Sequence, residues 1–483
     1  MKINNKFLFF YFGIFIQVIL IQFSTHHYET LDWDINAFLV TSLEFGRGNL
    51  PYEFQYENKP PLLFLIFFIF SAISQKSLLL IKIINDLIIF LLSISLTRLY
   101  SKKSFSLWNL IPGLTFIAFT SNVWFHPNYS EYLLLVFVVA SNFIYQKSDS
   151  KFKYLYVGIL LALSTLVNLG AIVFLLSYML FIYIKEEKVK VEYRNLFFGF
   201  SFVHLLTGVT YFVFGVLEEY IMSFVVIPYS YTSSDTSFWS AVQVFVQALA
   251  DFDLFLYGLL VILITFTLFK TVSLIRSLDF NNFTSEIVIQ IFASALFFGL
   301  ARKGYYHHLI PLLYFLPACL HLLDKRLSKG IIIFFVIFSF IGVNDKLANQ
   351  SINNIRNLQT LEENYPTKKA YDQIKNQIAN NDIIFSTENI LFLYYLDRPN
   401  SSYIVHPALY NYPEITSVLE SSNKISKKEV IKNLQLLPDV IEGSSFDRSL
   451  IDMNIYQEIV FRNINFELLN YWDDGDVAVY IKK

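Results

Sequence analysis

Apolar residues in this chain gather into many runs of roughly 15–23 residues, and short polar segments separate these runs. A helix of that length crosses the hydrocarbon core of a bilayer, so the pattern predicts a helical membrane protein with many spans. The first run covers about residues 7–23 and follows Lys2 and Lys6. No small-x-small cleavage site precedes the polar segment STHHYET, which favours an uncleaved span with a cytoplasmic N-terminus over a signal peptide.

The polar stretch after this span, Leu31–Phe64, reads LDWDINAFLVTSLEFGRGNLPYEFQYENKPPLLF and is expected on the outer face. Gly46 and Gly48 end a run of residues that recur at helical spacing: Ile35, Phe38, Leu39, Ser42 and Leu43. We predict a helix here that lies in the membrane interface and does not cross the membrane.

The next apolar run, Pro60–Ser74, is short for a span. At 1.5 Å per residue it covers roughly 22 Å, against about 30 Å of hydrocarbon core. If it crossed, the basic residues after the following run would lie outside: Arg98, Lys102 and Lys103. We therefore predict a second juxtamembrane or re-entrant helix at Pro60–Ser74, and the second span at Ser77–Leu96.

The remaining runs alternate between the two faces with Lys or Arg in every inner loop, which predicts about eleven spans. These spans are expected at about 106–124, 131–145, 154–168, 170–184, 195–216, 286–300 and 331–343, with two more before Lys270 and Lys325. The same alternation places the polar tail outside.

The tail begins near Asn344 and reads as a small α/β domain of about 140 residues. Predicted helices at Ala370–Ala379 and Lys427–Leu434 separate short predicted strands: Asp382–Ser386, Ser402–Val405, Asp439–Gly443 and Asp476–Ile481. The expected organisation is an all-α membrane domain over residues 1–343, with an outer catalytic loop at 31–75, and a soluble extracytoplasmic domain over 344–483. The tail has no phosphate-loop glycines, and we assign it no chemistry.

Composition agrees with a membrane protein. Charged residues make up 16 % of the 483 residues, compared with about 25 % in soluble proteins. The net charge of −2 gives no bulk attraction to nucleic acid. The single cysteine, Cys319, lies in an apolar run; it cannot form an intrachain disulfide and is expected to fill space.

Three charged residues in the outer loop are candidates for chemistry. Asp32 and Asp34 precede the interfacial helix, where either could cap the helix or act as a general base on an acceptor hydroxyl. Lys59 precedes Pro60 and Pro61, which suit a helix start. It could be a lysine that snorkels at a helix entrance, or a cation placed at headgroup depth to bind a lipid phosphate.

The pattern DINAFLVTSLEFGRGNLPYEFQYENKPPL resembles the first outer loop of the polyprenyl-phosphate-dependent, type C glycosyltransferases, which include the protein mannosyltransferase and aminoarabinose transferase families. In these enzymes an Asp, an amphipathic helix, Gly and Pro-Tyr precede Lys-Pro-Pro-Leu. The resemblance covers roughly residues 1–320, and the tail matches only in its placement. Two positions depart from the family pattern: Ile35 stands where an acidic residue is common, and Asn168 where many members have a lysine.

The resemblance implies a second acidic residue at the outer end of the third span, and Glu131 occupies that place. It also implies an outer basic and aromatic segment before a late span that contains proline, which these residues match: Arg302, Lys303, Tyr305, Tyr306, His307, His308 and Pro311. The first four of them are the expected donor-phosphate ligands, together with Lys59. Residues alone leave plainer alternatives, because Glu131 could favour a helix dipole and outer basic residues often anchor a helix at the interface.

Two further groups of polar residues are expected to have no catalytic role. His307 and His308 have no carboxylate or cysteine at metal-ligand spacing, so no metal site is expected there. Lys82 and Asp86 lie one helical turn apart in the second span, where we predict an internal ion pair.

The resemblance therefore implies an inverting glycosyltransferase of the plasma membrane that contributes to the cell envelope or to glycosylation. Its donor would be a polyprenyl-phosphate sugar, and its acceptor a lipid, a glycan or a protein. Asp34 is the expected base with Asp32 as the substitute, and Glu131 orients the acceptor or the base. No cofactor is required, although a divalent metal stays open. The alternatives are a secondary transporter or lipid flippase, disfavoured by the few midplane charges, and a non-catalytic assembly protein for envelope polysaccharide.

Overall fold

A computed structural model describes residues 5–29, 32–99, 107–185, 189–232, 242–243, 245–247, 254–277, 283–300, 305–322, 345–376, 378, 384–386, 390–400, 402–406, 409, 412–425, 440–443, 466–472 and 477–482. The chain divides into two units. The first comprises Met1–His26, Lys82–Thr207 and Thr236–Arg356. The second comprises His27–Ile81, Gly208–Asp235 and Asn357–Lys483, and so combines the outer loop with the tail. The predicted domain boundary at residue 343 stays a prediction.

The first unit is helical throughout its described part. Two of the helices given below cross its boundary, because the first turn of α4 and the end of α9 from Gly208 belong to the second unit. The described α-helices are α1 (Asn5–Gln22), α4 (Leu78–Leu99), α5 (Ile111–Phe119), α6 (Ser130–Lys147), α7 (Lys153–Thr165), α8 (Ile172–Lys185), α9 (Val189–Val213), α12 (Leu254–Ser277), α13 (Phe283–Leu300), α14 (Ile310–Phe315) and α15 (Asp345–Arg356). Among the described residues, three helices are long and apolar enough to cross a membrane: Leu78–Leu99, Val189–Val213 and Leu256–Arg276. These helices indicate an integral membrane protein that crosses the bilayer more than once.

Glycines allow α7 and α9 to cross at very short range. A Cβ atom built on Gly158 would lie 2.2 Å from the carbonyl oxygen of Leu196, and one built on Gly199 would lie 2.2 Å from that of Leu155. Small residues at a helix crossing bring two backbones into contact, a common packing mode in membranes. Any side chain at either position would force the two helices apart.

The polar residues of α4 connect it to the end of α1. Asp86 Oδ2 lies 3.0 Å from His26 Nε2, and the Asn85 amide donates to the carbonyl oxygen of His126. Asp86 thus has His26 as an ion-pair partner that the sequence did not predict, in addition to its electrostatic interaction with Lys82. The i, i+4 spacing shows which groups share a helix face, but it cannot show what a neighbouring helix places opposite them.

The second unit contains both predicted helices of the outer loop, α2 (Trp33–Gly46) and α3 (Pro61–Ser74). They pack through aromatic edges, with the Phe38 ring centroid 5.5 Å from that of Phe67. The α-helices of this unit outside α2 and α3 are α10 (Leu217–Ile221), α11 (Ile227–Thr232), α16 (Pro366–Ile374), α17 (Leu391–Leu396) and α18 (Pro413–Ser421). The predictions of helices at both ends of the outer loop are confirmed.

The described part of the tail contains a four-stranded sheet with the strand order β1-β2-β4-β3. Its strands are β1 (Ile384–Ser386), β2 (Val440–Gly443), β3 (Phe466–Trp472) and β4 (Val477–Lys482). β1 pairs with β2 in parallel, and the other two pairings are antiparallel. Three of the four predicted strands are confirmed, whereas β3 was not predicted. The predicted strand Ser402–Val405 is reduced to a single bridge between Tyr56 and Ile404, and the predicted helix Lys427–Leu434 lies outside the described residues.

Contacts within the second unit hold the tail to the outer loop. The carboxylate of Glu29 accepts from the backbone amides of Thr367 (2.7 Å) and Lys368 (3.0 Å) at the start of α16. Ser71 on α3 shares a hydrogen bond of 2.7 Å with the Tyr394 hydroxyl on α17. A carboxylate that fills the free amides of a helix start is a stable arrangement, because those amides have no partner within the helix.

Candidate functional site

Asp32 and Asp34 have different surroundings at the start of α2. Asp32 is the N-cap residue, and its Oδ1 accepts from the Asp34 backbone amide at 2.8 Å. Asp34 lies in the first helical turn with its side chain 26 % exposed. The capping prediction is confirmed for Asp32, which leaves the Asp34 carboxylate to make contacts beyond its own helix.

The loop after α2 brings Lys59 back to Asp34. Gly48 has a φ of +82°, a left-handed conformation that suits glycine in the turn that follows the helix. The Tyr52 hydroxyl donates to the carbonyl oxygen of Lys59, which lies two residues before the start of α3, and thereby fixes the backbone there. The Lys59 ammonium lies 3.9 Å from Asp34 Oδ2, so an acid and a cation that are 25 residues apart in the sequence become neighbours. This distance is an ion pair without a direct hydrogen bond.

Glu57 is the third member of this cluster and its second carboxyl group, and it was not predicted from the sequence. It is only 2 % exposed. Burial raises the pKa of Glu57 to about 7; His406 and Lys59 lower it, and Asp34 raises it further. Near neutral pH, Glu57 is therefore present in both its protonated and its ionised form. No local pattern marked it, because its burial depends on residues of the tail.

His406 is the fourth member and comes from the tail. Its Nε2 lies 3.1 Å from Asp34 Oδ1, and its side chain is 7 % exposed. Burial lowers the pKa of His406, but the hydrogen bond to Asp34 and the charges of Glu57, Asp34 and Asp32 outweigh burial and raise the pKa. No local pattern marks this residue, since 372 positions separate it from Asp34. We call Asp34, Glu57, Lys59 and His406 the outer-loop cluster.

A second polar cluster lies within the first unit around Glu131. Glu131 is in the first turn of α6 and is completely buried. Its Oε2 accepts from the Ser130 hydroxyl at 3.1 Å, and its Oε1 accepts from the Asn168 amide at 3.0 Å. Asn168 is oriented in turn by the Gly170 backbone amide, which donates to its Oδ1. Asn168 stands where many members of the resembling families have a lysine. It thus contacts Glu131, the acidic residue expected at the outer end of the third span.

Two histidines, His307 and His308, lie beside Glu131 and form a group of three possible metal ligands with it. His308 Nε2 lies 3.7 Å from Glu131 Oε1, and one ligand atom from each of the three residues lies within 4.8 Å of the others. Ligand atoms around tetrahedral Zn²⁺ lie about 3.4 Å apart, so a bound metal would draw these side chains closer together. The sequence spacing missed this group because its carboxylate comes from α6, far from the histidines in the chain.

The predicted basic and aromatic segment is described only in part. The Tyr305 ring stacks on His307 at 5.7 Å, and the Tyr306 ring meets Trp124 edge to face at 5.8 Å. Arg302 and Lys303 lie outside the described residues. Within the first unit, the fold brings Tyr305 to the histidines beside Glu131; within the second, it brings Asp34 to Lys59.

Comparisons with known proteins identify the fold. No protein-family model matches the chain, and no curated protein matches it. Among solved structures, ArnT from Cupriavidus metallidurans bound to undecaprenyl phosphate is similar with a TM-score of 0.63 and 13 % identity, over 99 % of this chain and 98 % of that one. The same protein in the apo state gives a TM-score of 0.61 at 12 % identity with the same coverage. An Archaeoglobus fulgidus oligosaccharyltransferase in the apo form aligns over 90 % of this chain and 69 % of its own, at 10 % identity; its TM-score of 0.46 supports no argument.

The chain therefore has the fold of ArnT. The resemblance predicted from the outer loop is confirmed at the level of fold, over nearly the whole chain. The ArnT structures share this fold at an identity too low to carry over a reaction.

Proposed function

We propose that this protein is an inverting membrane glycosyltransferase that moves a sugar from a polyprenyl-phosphate donor to an acceptor hydroxyl. The observation that carries the proposal is the pairing of Asp34 with Lys59, a carboxylate and a cation, in a protein with the fold of ArnT. Transfer from a lipid phosphate needs a group that accepts the hydroxyl proton and a positive charge that stabilises the departing phosphate.

In the proposed reaction, Asp34 Oδ2 accepts the proton from the acceptor hydroxyl. The freed oxygen attacks the anomeric carbon of the sugar, and the bond from that carbon to the phosphate oxygen breaks on the opposite face. The polyprenyl phosphate leaves with the bonding electrons and needs no proton, because cations balance its charge. Lys59 is the described candidate for this charge, and Arg302 and Lys303 are further candidates from the sequence.

Other sequence predictions are retained as parts of the proposal. About eleven spans would carry the chain across the membrane, with the outer loop and the tail outside. Glu131 would orient the acceptor, while Tyr305 and Tyr306 would border the donor phosphate. A metal held by Glu131, His307 and His308 would supply positive charge at that cluster, although no step of the proposed reaction requires one.

The test is sugar transfer by purified protein with the variant Asp34→Asn. The assay would offer undecaprenyl-phosphate mannose, glucose and aminoarabinose, each radiolabelled in the sugar, together with a membrane extract that supplies lipid, glycan and protein acceptors. It would measure transfer of the label to the acceptor and the accompanying release of undecaprenyl phosphate. Loss of the base should lower turnover about 10²- to 10⁴-fold. Asp32→Asn is a matched control, because asparagine caps a helix as well as aspartate does and should leave turnover unchanged. Near-normal turnover by Asp34→Asn would remove Asp34 from this role, and no release from any donor by the wild-type protein would overturn the proposal.

A further inference from the structure

A short backbone contact holds the tail segment Asn400–His406 against the outer loop. The Tyr56 amide donates to the Tyr403 carbonyl oxygen at 2.6 Å, and the Val405 amide donates to the Tyr56 carbonyl oxygen at 3.0 Å. The side-chain amide of Gln55 (Nε2) also donates to the Asn400 carbonyl oxygen at 3.2 Å. Backbone hydrogen bonds on both sides of one residue fix the register of the two segments.

This register determines where the next side chain goes. His406 follows Val405 directly, and its buried ring reaches Asp34 with Nε2. A carboxylate oxygen can only accept, so Nε2 must carry the proton of this hydrogen bond. The ring therefore donates to Oδ1 in both its neutral and its cationic forms.

We propose that His406 is a positioning residue for Asp34, holding Oδ1 so that Oδ2 is presented to the acceptor hydroxyl. This inference rests on the proposed function. An Asp34 side chain that is partly exposed could otherwise rotate about its terminal bond and exchange its two oxygens. The tail then has a defined role, since it supplies the group that fixes the orientation of the base.

The charges around His406 are consistent with this role. Asp34, Glu57 and Asp32 favour the cationic ring, and they raise the pKa of His406 despite its burial. Lys59 lies on the Oδ2 side of Asp34, opposite the oxygen that His406 holds. The two partners thus contact different oxygens of one carboxylate, an arrangement that restricts its rotation.

Two substitutions separate positioning from structural support. His406→Ala removes the donor, whereas His406→Gln places a neutral amide N–H close to the position of Nε2. We expect the alanine variant to lower kcat about 10- to 100-fold, because the Asp34 carboxylate loses the hydrogen bond that orients it. The KM for the undecaprenyl-phosphate sugar should stay within about twofold of wild type. The glutamine variant should recover most of kcat. His27→Gln, a histidine of the same unit outside the cluster, is the matched control and should not change kcat.

A spectroscopic titration tests the contact independently of turnover. In protein with ¹⁵N-labelled histidines, the His406 signal is assigned by its loss in His406→Gln. Asp34→Asn should lower the pKa of His406, because it removes the carboxylate that accepts the hydrogen bond from the ring and favours the cationic form.

The outcomes distinguish this inference from the proposed function. A wild-type protein that transfers no sugar overturns the proposed function and, with it, the role of His406. Transfer with an unchanged kcat in a folded His406→Ala variant overturns only the role of His406. A His406 pKa that does not change in Asp34→Asn also overturns only the role of His406. The same conclusion follows if His406→Gln fails to recover kcat although its melting temperature equals that of wild type.

Discussion

Glu57→Gln tests the electrostatics of the outer-loop cluster without reference to catalysis. Glutamine keeps the size of the side chain and removes its ability to ionise. Because Glu57 is buried, its pKa is raised from an ordinary value of 4.5 to about 7. The folded protein therefore binds this proton more tightly than the unfolded chain does.

The size and sign of the effect follow from that shift. The pKa difference of 7 − 4.5 = 2.5 units corresponds to about 3 kcal/mol, at about 1.36 kcal/mol per unit. Below pH 4.5 both states carry the proton, and Glu57 does not reduce the free energy of unfolding. As the pH rises from 4.5 to 7, the unfolded chain loses the proton first, and the wild-type protein becomes less stable by that amount. The glutamine variant does not undergo this loss.

The assay is thermal unfolding in detergent micelles between pH 4.5 and 8.5. For 483 residues, an unfolding entropy of about 2.1 cal/mol/K per residue gives about 1 kcal/mol/K, so the melting temperature of the variant relative to wild type should rise by about 3 °C across this range. Glu53→Gln, a partly exposed carboxyl on the same loop, is the control. A difference between Glu57→Gln and wild type that stays constant with pH would refute the reasoning.

Two further predictions concern the phosphate charge and the buried acid. Lys59→Gln should weaken binding of undecaprenyl phosphate about 10- to 100-fold, because a charge-assisted hydrogen bond to the phosphate is lost. Lys76→Gln is the control and should not weaken binding. Equal effects of the two variants in a lipid-binding assay would contradict the role of Lys59 in phosphate binding. Asn168→Ala should lower the free energy of unfolding by about 1–3 kcal/mol, because Glu131 and Ser130 lose a buried hydrogen-bond donor. An unchanged denaturation midpoint would contradict the hydrogen bonds of Asn168 to these two residues.

Local patterns predicted the parts of the fold and of the site that depend on neighbouring residues. Helical periodicity and terminal glycines gave α2, and the two prolines gave the start of α3. Asp34 and Lys59 could be selected because both lie in one loop with a recognisable order of residues. Their proximity within the second unit then follows from the pairing of α2 with α3.

Partners from distant parts of the chain could not be predicted. His406 and Glu57 are defined by a backbone bridge between the outer loop and the tail, and one isolated bridge leaves no periodic signal. Asn168 was noted only as a departure from a family pattern, whereas its hydrogen bond to Glu131 depends on the turn after α7. Residue spacing shows which groups share an element, but tertiary packing determines which elements meet.

The bridge between Tyr56 and Ile404 also has a consequence for the order of assembly. A chain grows at about 5–20 residues per second, so the 372 residues between Asp34 and His406 require roughly 20–75 s of synthesis. During that time α2 and α3 can form, but Asp34 lacks its histidine partner. The outer-loop cluster is completed only when the tail has been made and has folded. A nascent or truncated chain that lacks the tail therefore has an incomplete outer-loop cluster, without His406 beside Asp34.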